Sequence, residues 1–444
     1  MTAPEALARR RRLPAREHGA GWISAGWEHR VQVGLIVTVW LGVLGPLLVQ
    51  SVTEGKGFTP IDQEAAPLTG LASAVTTAAN GLIVLACAAV VLACLPALAW
   101  RTAGVLVLLV APWGIAAVQL VVLGRPPGAP ALIYPAVAAA FWALRPRRAA
   151  IETVGYLTGA TALVSLLLGA LLPDAGRYPL ETAGLEKVIG PAGVLSGVMP
   201  TGNNLGLLLV VGLPTVFAIR RVALRWVALG AVALALAWTI SRTSWVAALV
   251  VLVMLAALAW LPRRGQLAGL GLGLLALVGL VVPFVTSDPD RFTHRAGYWI
   301  ATLDAWRDSP LVGYGADYFK QIANTPADLG GYAYHAHNQG VQLLITGGLL
   351  LTVAVLALLA LAAVRAVRLA AAGVPWAAGW LAALLAVGVL EVPLGFVDRM
   401  MFLPVTLVPL CLLLCADRTD DDPAGPVPGV TASSARPPAG AAHG

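Results

Sequence analysis

The sequence predicts an all-α, polytopic integral membrane protein of about 12 transmembrane helices with one large extracytoplasmic loop region. Of its 444 residues, 59% are hydrophobic and only 11% are charged. This composition excludes an ordinary soluble domain. Apolar stretches of nearly membrane-spanning length also recur along most of the chain, so there are too many for a simple membrane anchor.

Twelve apolar spans can be placed along the chain. Several are shorter than the roughly 20 residues that a straight span needs, and the span at 129–144 is the least secure. The spans lie near residues 31–49, 71–95, 103–123, 129–144, 151–172, 205–219, 226–240, 245–261, 267–285, 339–363, 376–391 and 400–415.

The distribution of Lys and Arg predicts which side of the membrane each loop faces. The N-terminal thirty residues carry six arginines, including the run Arg9 to Arg12, and such a block resists translocation. With this arm in the cytoplasm, every short loop assigned to the cytoplasm is basic, as the positive-inside rule requires. Both termini are therefore expected inside, and the polar loop at 288–338 is expected outside.

The same pattern divides the chain into three parts. Residues 1–30 form a basic cytoplasmic arm, and residues 31–415 form the transmembrane domain, with extracytoplasmic loops at 173–204 and 286–338. Residues 416–444 are rich in Pro, Gly, Ala and acidic residues, which predicts a disordered cytoplasmic tail. Arginines at the cytoplasmic helix ends indicate contact with the lipid bilayer and its anionic headgroups rather than with nucleic acid.

Two short external segments are candidate site elements. Gly and Pro residues near 190–197 predict an interfacial or re-entrant helix, or equally a plain connecting loop, before the run Met199-Pro200-Thr201-Gly202-Asn203-Asn204. The turn Ser241-Arg242-Thr243-Ser244 lies between two spans. Arg242 either snorkels to the outer headgroups or offers its planar fork to a phosphate.

The long external loop contains the densest group of ionisable residues. Its segment from Arg291 through Arg295, Tyr298 and Trp299 predicts an amphipathic helix running to Trp306. Its end, Tyr334-His335-Ala336-His337-Asn338, leads directly into the next span. A His-x-His pair is able to ligate a metal, but no Asp, Glu or Cys partner has matching spacing, so no metal or other cofactor is expected. A histidine beside arginines is the better candidate for a general base.

These motifs together resemble the O-antigen ligase and O-antigen polymerase superfamily. The similarity covers about residues 191–348. It rests on the Ser-Arg-Thr turn, on Arg295-x-x-Tyr-Trp followed by Asp308-Ser-Pro-Leu-Val-Gly-Tyr-Gly, and on His337-Asn338 before a helix that contains glycine. The run from Met199 to Asn204 is similar to the Asn-containing helix entry of that family.

The resemblance implies a GT-C-like glycosyltransferase of the bacterial cytoplasmic membrane, with its active site on the extracytoplasmic side. Such enzymes transfer a glycan from a polyprenyl (undecaprenyl) diphosphate donor to a hydroxyl of a glycan or glycolipid acceptor. By resemblance, Arg242 and Arg295 hold the diphosphate, and His337 acts as the catalytic base or orients the acceptor. The remaining candidates are expected to contact substrate; they are Arg291, Asn338, Asn204, Tyr298, Trp299, Tyr334 and His335.

Two other functions remain open at this stage. An O-antigen or exopolysaccharide polymerase uses the same donor but extends another lipid-linked chain. A transporter or flippase of lipid-linked glycan belongs to a different class, and it would need ionisable residues at mid-membrane depth. Because the span centres are almost uncharged and ionisable residues gather at their outer ends, transfer on the outer side is favoured.

The predicted sidedness can be tested by cysteine labelling. A cysteine introduced at Asp328, in the external loop, should react with a membrane-impermeant thiol reagent in intact cells whose outer envelope is permeable. Labelling that requires cell lysis would contradict the charge-based topology.

Overall fold

The computed structural model describes residues 25–55, 70–98, 102–178, 193–322, 335–398 and 400–416. Apolar helices account for most of the described residues. In chain order the elements are α1 (Ala25–Glu54), α2 (Gly70–Cys94), α3 (Ala103–Val122), α4 (Ile133–Leu144), α5 (Ile151–Leu171), α6 (Pro173–Gly176), β1 (Arg177–Tyr178), β2 (Val194–Leu195), α7 (Gly202–Val216), α8 (Val222–Trp238), α9 (Arg242–Trp260), α10 (Arg264–Val285), α11 (Arg295–Trp306), α12 (Tyr318–Ile322), α13 (Gln339–Ala371), α14 (Trp376–Gly388) and α15 (Leu403–Cys415).

Each of the twelve predicted apolar spans coincides with an apolar helix. Among the described residues, seven helices are long and apolar enough to cross a membrane, and five shorter apolar helices have 10–17 residues. These observations confirm an all-α, polytopic membrane protein. That all twelve helices cross the bilayer, and that their arrangement is GT-C-like, remain predictions.

The shorter helices α7, α14 and α15 occupy the centre of the molecule, where nearly all of their residues are buried. Helices of this kind are apolar on every face because every face meets protein. The longer helices surround them and expose many large apolar side chains, among them Leu85, Val122 and Trp260. In water such a surface would be unstable, so it is the surface expected to face lipid.

A second, smaller apolar core lies at one end of the bundle. Trp299 and Leu303 of α11 pack there with Tyr318 and Phe319 of α12 and with Ile345 of α13. This core fixes α11 against the first turns of α13, and it therefore determines where the side chains of both helix N-termini meet.

Helix α13 is broken at Gly348, whose φ of 60° and ψ of −160° are not helical. The loop from Pro310 to Gly315 fills the break. Leu349 N donates to Pro310 O at 2.9 Å, and Tyr314 N donates to Ile345 O at 2.8 Å. These bonds pair backbone groups that the break would otherwise leave unsatisfied within apolar surroundings.

One local prediction is wrong. The amphipathic helix predicted from Arg291 begins at Arg295, because Phe292, Thr293 and His294 all adopt positive φ and so cannot continue a right-handed helix. Of the two alternatives left open near 190–197, the described residues from Gly193 onward are not helical and contain the strand β2, paired antiparallel with β1. Gly193 and Gly197 flank β2 with φ of 69° and 54°. Residues 1–24, 179–192, 323–334 and 417–444 lie outside the described chain, and with them most of the N-terminal arm, the tail and Asp328.

The break in α13 generates a stability prediction. A Cβ at Gly348 would lie 2.3 Å from the carbonyl carbon of Leu311, and the positive φ adds backbone strain. We expect Gly348→Ala to destabilise the protein by about 3 kcal/mol or more. The measurement is the thermal denaturation midpoint of the detergent-purified protein.

Gly230→Ala is the matched control, because a Cβ at Gly230 meets no atom within 4 Å and alanine favours helix. A Gly348→Ala protein that melts with the wild type would contradict the role of the break.

Candidate active site

Four separate parts of the chain meet at the N-terminal end of α13. They are the first turn of α9, the first residue of α11, the segment from His335 to Asn338, and the residues that follow α14. Hydrogen bonds and ion pairs between side chains from these parts define a polar cluster made of Thr243, Arg295, His335, His337 and Glu391. We refer to these five residues as the Glu391 cluster.

Glu391 lies at the centre of this cluster and is only 7% exposed. Its Oε1 accepts a hydrogen bond from Arg295 Nη2 at 2.7 Å. Its Oε2 lies 3.8 Å from both His335 Nε2 and His337 Nδ1. A buried carboxylate is costly unless it is paired, and these contacts supply its partners.

Arg295 uses much of its guanidinium inside the protein. Besides the bond to Glu391, its Nη1 donates to Thr243 Oγ1 at 3.2 Å and to the Leu390 carbonyl at 2.8 Å. Three of the five N–H donors of an arginine are thereby engaged. Arg295 therefore joins the starts of α9 and α11 to the segment after α14. The other two of its five donors are the Nε–H group and the second N–H group of Nη2.

His337 is the more accessible of the two histidines in the cluster, with 22% of its side chain exposed. Its backbone has a φ of 50°, which is uncommon for a residue with a side chain. The imidazole lies 4.1 Å from the His335 ring and 5.7 Å from the Tyr298 ring, measured between centroids. His337 Nδ1 is buried and makes no hydrogen bond, although it faces the Glu391 carboxylate.

Hydrogen bonding assigns the tautomer of His335. The backbone N–H of His337 donates to His335 Nδ1 at 3.1 Å, so Nδ1 carries a lone pair. In a neutral ring the proton is then on Nε2, the nitrogen that faces Glu391. His335 thus presents an N–H to the carboxylate, and this N–H helps to stabilise the buried charge.

Asn338 and Gln339 hold the backbone around the site. Asn338 is fully buried; its Oδ1 accepts from Val341 N and caps α13, while its Nδ2 donates to the carbonyls of Gly279 and Val389. Gln339 exchanges hydrogen bonds with the backbone N–H and C=O of Leu394. The predicted helix start at Gln339 is confirmed, and the amide of Asn338 is committed to structure rather than to substrate.

The argument from spacing that the histidine pair lacks an acidic partner is wrong. His335, His337 and Glu391 each offer a ligand atom within 4.8 Å of the others, so the donor set resembles a metal site. Two features oppose a metal in this geometry. Arg295 already holds the same carboxylate as a cation, and His335 carries its proton on Nε2 and so has no lone pair there to donate.

The remaining candidate residues lie at varying distances from the cluster. Arg242 is exposed at the first position of α9, next to Thr243. Arg291 is exposed and pairs with Asp288 at 3.4 Å. Trp299 is fully buried in the smaller core, so it supports α11 instead of lining an open site. Asn204 lies in the first turn of α7, where its backbone N–H donates to the Thr201 hydroxyl. Tyr334 lies outside the described residues.

Sequence reasoning missed Glu391 as a site residue, although a signal was present. An ionisable residue at the end of an apolar span is costly and therefore usually functional. Glu391 is separated from Arg295 by 96 positions in the chain, so no local motif connects them. A second ion pair lies outside the cluster. Arg125 Nη1 pairs with Asp317 at 3.2 Å and joins the end of α3 to the long loop. In the same loop, burial and, second, the neighbouring Tyr314 raise the pKa of Tyr318.

Comparison with known protein families finds a match to the segment that contains four of the five residues of the Glu391 cluster. A search of curated proteins gave no match. The O-Antigen ligase family model (Wzy_C) matches residues 226–356, a segment that contains Arg242, Arg295, His335 and His337 but ends before Glu391. The match supports the resemblance to the O-antigen ligase superfamily over residues 226–356.

Proposed function

We propose that the protein transfers a glycan from a polyprenyl diphosphate donor to an acceptor hydroxyl on the extracytoplasmic side of the membrane. One observation supports this best: the more exposed of the two imidazoles in the Glu391 cluster, that of His337, lies in the segment that matches the family and faces the buried carboxylate of Glu391. A base held by a carboxylate is the arrangement that deprotonates a hydroxyl at neutral pH.

The proposed step exchanges a glycosyl–phosphate bond for a glycosidic bond. The acceptor oxygen attacks the anomeric carbon, the bond from that carbon to the diphosphate oxygen breaks, and the acceptor proton moves to His337 Nε2. Glu391 Oε2 faces His337 Nδ1 at 3.8 Å, which favours the tautomer with its proton on Nδ1 and its lone pair on Nε2. The carboxylate also stabilises the imidazolium that forms after proton transfer.

The departing diphosphate needs positive charge on the opposite side of the anomeric carbon. Arg242 is the stronger candidate, because it is exposed at the start of α9 and adjoins Thr243, which touches Arg295. Arg295 contributes its charge and the donors that its internal contacts leave. Arginine is suited to this task because its planar fork matches two phosphate oxygens.

The same site serves a ligase or a polymerase, because both reactions use the same donor and the same type of acceptor group. The two differ in whether the acceptor is a different molecule or a second lipid-linked glycan. Analysis of the lipid-linked pool in a deletion strain separates them. Full-length chains left on the carrier indicate a ligase, and single repeat units indicate a polymerase.

The role of His337 yields the first activity prediction. His337→Ala should lower the rate of glycan transfer by roughly a hundredfold to ten-thousandfold, the usual effect of removing a positioned base. His335→Ala should lower it much less, since His335 carries its proton toward Glu391 and offers no base. The measurement is transfer by purified enzyme from a lipid-linked donor, with and without excess chelator.

Activity that survives the chelator would support a base mechanism without a metal. Equal losses in the two histidine variants, together with inhibition by chelator that a divalent ion reverses, would instead indicate that His335, His337 and Glu391 bind a metal.

Glu391 yields a second prediction. Glu391→Gln keeps the side-chain size but removes the charge that faces His337 and pairs with Arg295. We expect the turnover number to fall by at least tenfold, while the donor KM changes little, because the carboxylate acts through the base and not on the donor.

Asp288→Asn is the matched control, since Asp288 forms an exposed pair with Arg291 in the same loop region and exposed pairs contribute little. An active Glu391→Gln enzyme with a normal turnover number would remove Glu391 from the mechanism.

Arg242 yields a third prediction. Arg242→Lys retains the charge but loses the two-pronged fork, so donor binding should weaken and transfer should fall strongly while membrane insertion stays normal. Wild-type activity in the lysine variant would reduce Arg242 to a charge that snorkels to the headgroups. Arg295→Lys should also lower transfer, but it would disturb Thr243 and Leu390 as well, so Arg242 is the cleaner test.

A further inference from the structure

Side chains at the C-terminal end of α3 hold the loop that fills the break in α13. Gln119, in the last turn of α3, donates from Nε2 to the Val312 carbonyl. Arg125 follows α3; its Nη2 donates to the Tyr314 carbonyl at 3.1 Å, and its Nη1 pairs with Asp317 Oδ2 at 3.2 Å. We refer to Gln119, Arg125 and Asp317 as the loop clamp. Because the two charged side chains are only 30% and 26% exposed, water and salt screen this pair less than an exposed one.

The other side of the loop replaces two hydrogen bonds of α13. An unbroken helix would join the N–H groups at 349 and 350 to the carbonyls at 345 and 346. The loop pairs all four groups instead: Leu349 N donates to Pro310 O, Leu350 N to Leu311 O, Tyr314 N to Ile345 O and Gly315 N to Thr346 O. The loop is therefore fixed between α3 and the two halves of α13.

The ion pair of the clamp lies directly on the loop backbone. Gly315 has a φ of 100°, and a Cβ there would be 3.1 Å from Asp317 Oδ1 and 3.2 Å from Arg125 Nη2. Positive φ favours glycine, and the absence of a side chain leaves room for both charged groups. The clamp thus holds the loop at the same residue whose N–H donates to α13.

The clamp also fixes α12, the short helix that follows the loop. The Asp317 carbonyl accepts from the N–H groups of Lys320 and Gln321 at 3.0 and 3.2 Å, and Asp317 Oδ2 accepts from Gln321 Nε2 at 2.9 Å. Tyr318 and Phe319 of α12 pack in the smaller core. Movement of Asp317 would therefore displace side chains that fill this core.

Two routes lead from the clamp to the Glu391 cluster. The smaller core joins α12 to Trp299 of α11, and α11 begins with Arg295, a member of the cluster. The loop fixes α13 at its break, and the first half of α13 begins at Gln339, two residues after His337. Both elements that the clamp restrains therefore carry or adjoin residues of the cluster.

We infer that Arg125 is a positioning residue for the Glu391 cluster. Its bonds to Tyr314 and Asp317 hold the loop in the break, and the loop and α12 transmit this restraint to the starts of α11 and α13. A shift of about 1 Å in a catalytic group can lower a rate by about a hundredfold. The inference rests on the proposed function, which makes His337 the base.

Arg125 lies outside residues 226–356, the segment that matches the family. A side chain from another part of the chain thus tunes groups that the matched segment supplies. We expect its effect mainly in the turnover number, because the clamp acts on the elements next to the base. Arg242, the stronger candidate for the diphosphate, begins a different helix, α9.

Hydrogen–deuterium exchange tests the clamp without requiring activity. Arg125→Glu places a carboxylate beside Asp317, so the loop should open more often. We expect amide exchange at residues 310–315 and 345–350 to become about tenfold faster, measured by mass spectrometry on detergent-purified protein. Arg125→Gln is a milder second variant should the charge reversal impair folding, and it should accelerate exchange at the same residues.

Two further variants separate the clamp from general effects of charge. Adding Asp317→Arg to Arg125→Glu restores an ion pair in reversed order and should bring exchange to within about twofold of the wild type. Arg307→Glu reverses another arginine, whose pair with Asp304 at 2.9 Å is 73% and 75% exposed. It should leave exchange unchanged because exposed pairs contribute little. Unchanged exchange in both Arg125 variants, or an equal increase in Arg307→Glu, would overturn the clamp.

Transfer assays with purified enzyme then test the positioning role. Arg125→Glu should lower the turnover number by about tenfold and change the donor KM by less than about twofold, and the double variant should recover most of the loss. Faster exchange with a wild-type turnover number, or a rise in KM alone, would overturn positioning. A double variant that regains slow exchange but not turnover would overturn it as well.

The two measurements also distinguish this inference from the proposed function. A wild type that transfers glycan from no donor would contradict the proposed function, and with it the role of Arg125 in catalysis. The exchange measurements would still decide whether Arg125 holds the loop in the break of α13.

Discussion

The burial of the Glu391 carboxylate is the constraint on which the site depends. An ionised group removed from water is tolerated only when opposite charge and hydrogen-bond donors surround it, and Glu391 obtains these from Arg295 and from the two histidines. Because removal of one partner of a buried pair typically costs about 3–5 kcal/mol, the cluster also resists separation of the elements that supply it. The ends of α9, α11, α13 and α14 are therefore held together by charge as well as by packing.

This arrangement changes the interpretation of Arg295. A family resemblance assigns it to the diphosphate, yet its bonds to Glu391, Thr243 and Leu390 occupy three of its donors. Its first contribution is to neutralise the charge of the carboxylate that faces His337. In the proposed mechanism, its positive charge also adds to that of Arg242 beside the diphosphate. A substitution at Arg295 consequently disturbs the carboxylate that faces His337 and the start of α9 at once and, under the proposed mechanism, also the charge near the leaving group. Effects of this kind are not additive with those at Glu391.

Much of the fold, and part of the site, could be predicted from the sequence. Continuous apolar runs identify the helices because backbone groups in a lipid-like environment must be paired within the segment. The order of Arg242, Arg295 and His337 indicated the family, and a model of that family matches this segment. Glu391 was missed because its partners are brought to it by tertiary packing across 96 positions. The turn at 292–294 was missed because residues other than glycine adopt positive φ there, against their ordinary preference.

The break in α13 explains why His337, Asn338 and Gly348 form one structural unit. Asn338 caps the helix at its start, and the loop at 310–315 binds its backbone on both sides of Gly348. The nine residues between these points form a rod about 13 Å long that is fixed at both ends. His337 immediately precedes the rod in a left-handed conformation, which the Asn338 amide and the bond to His335 over-determine. The strain at His337 is thus stored where the surrounding bonds can support it, and the imidazole keeps one orientation toward Glu391.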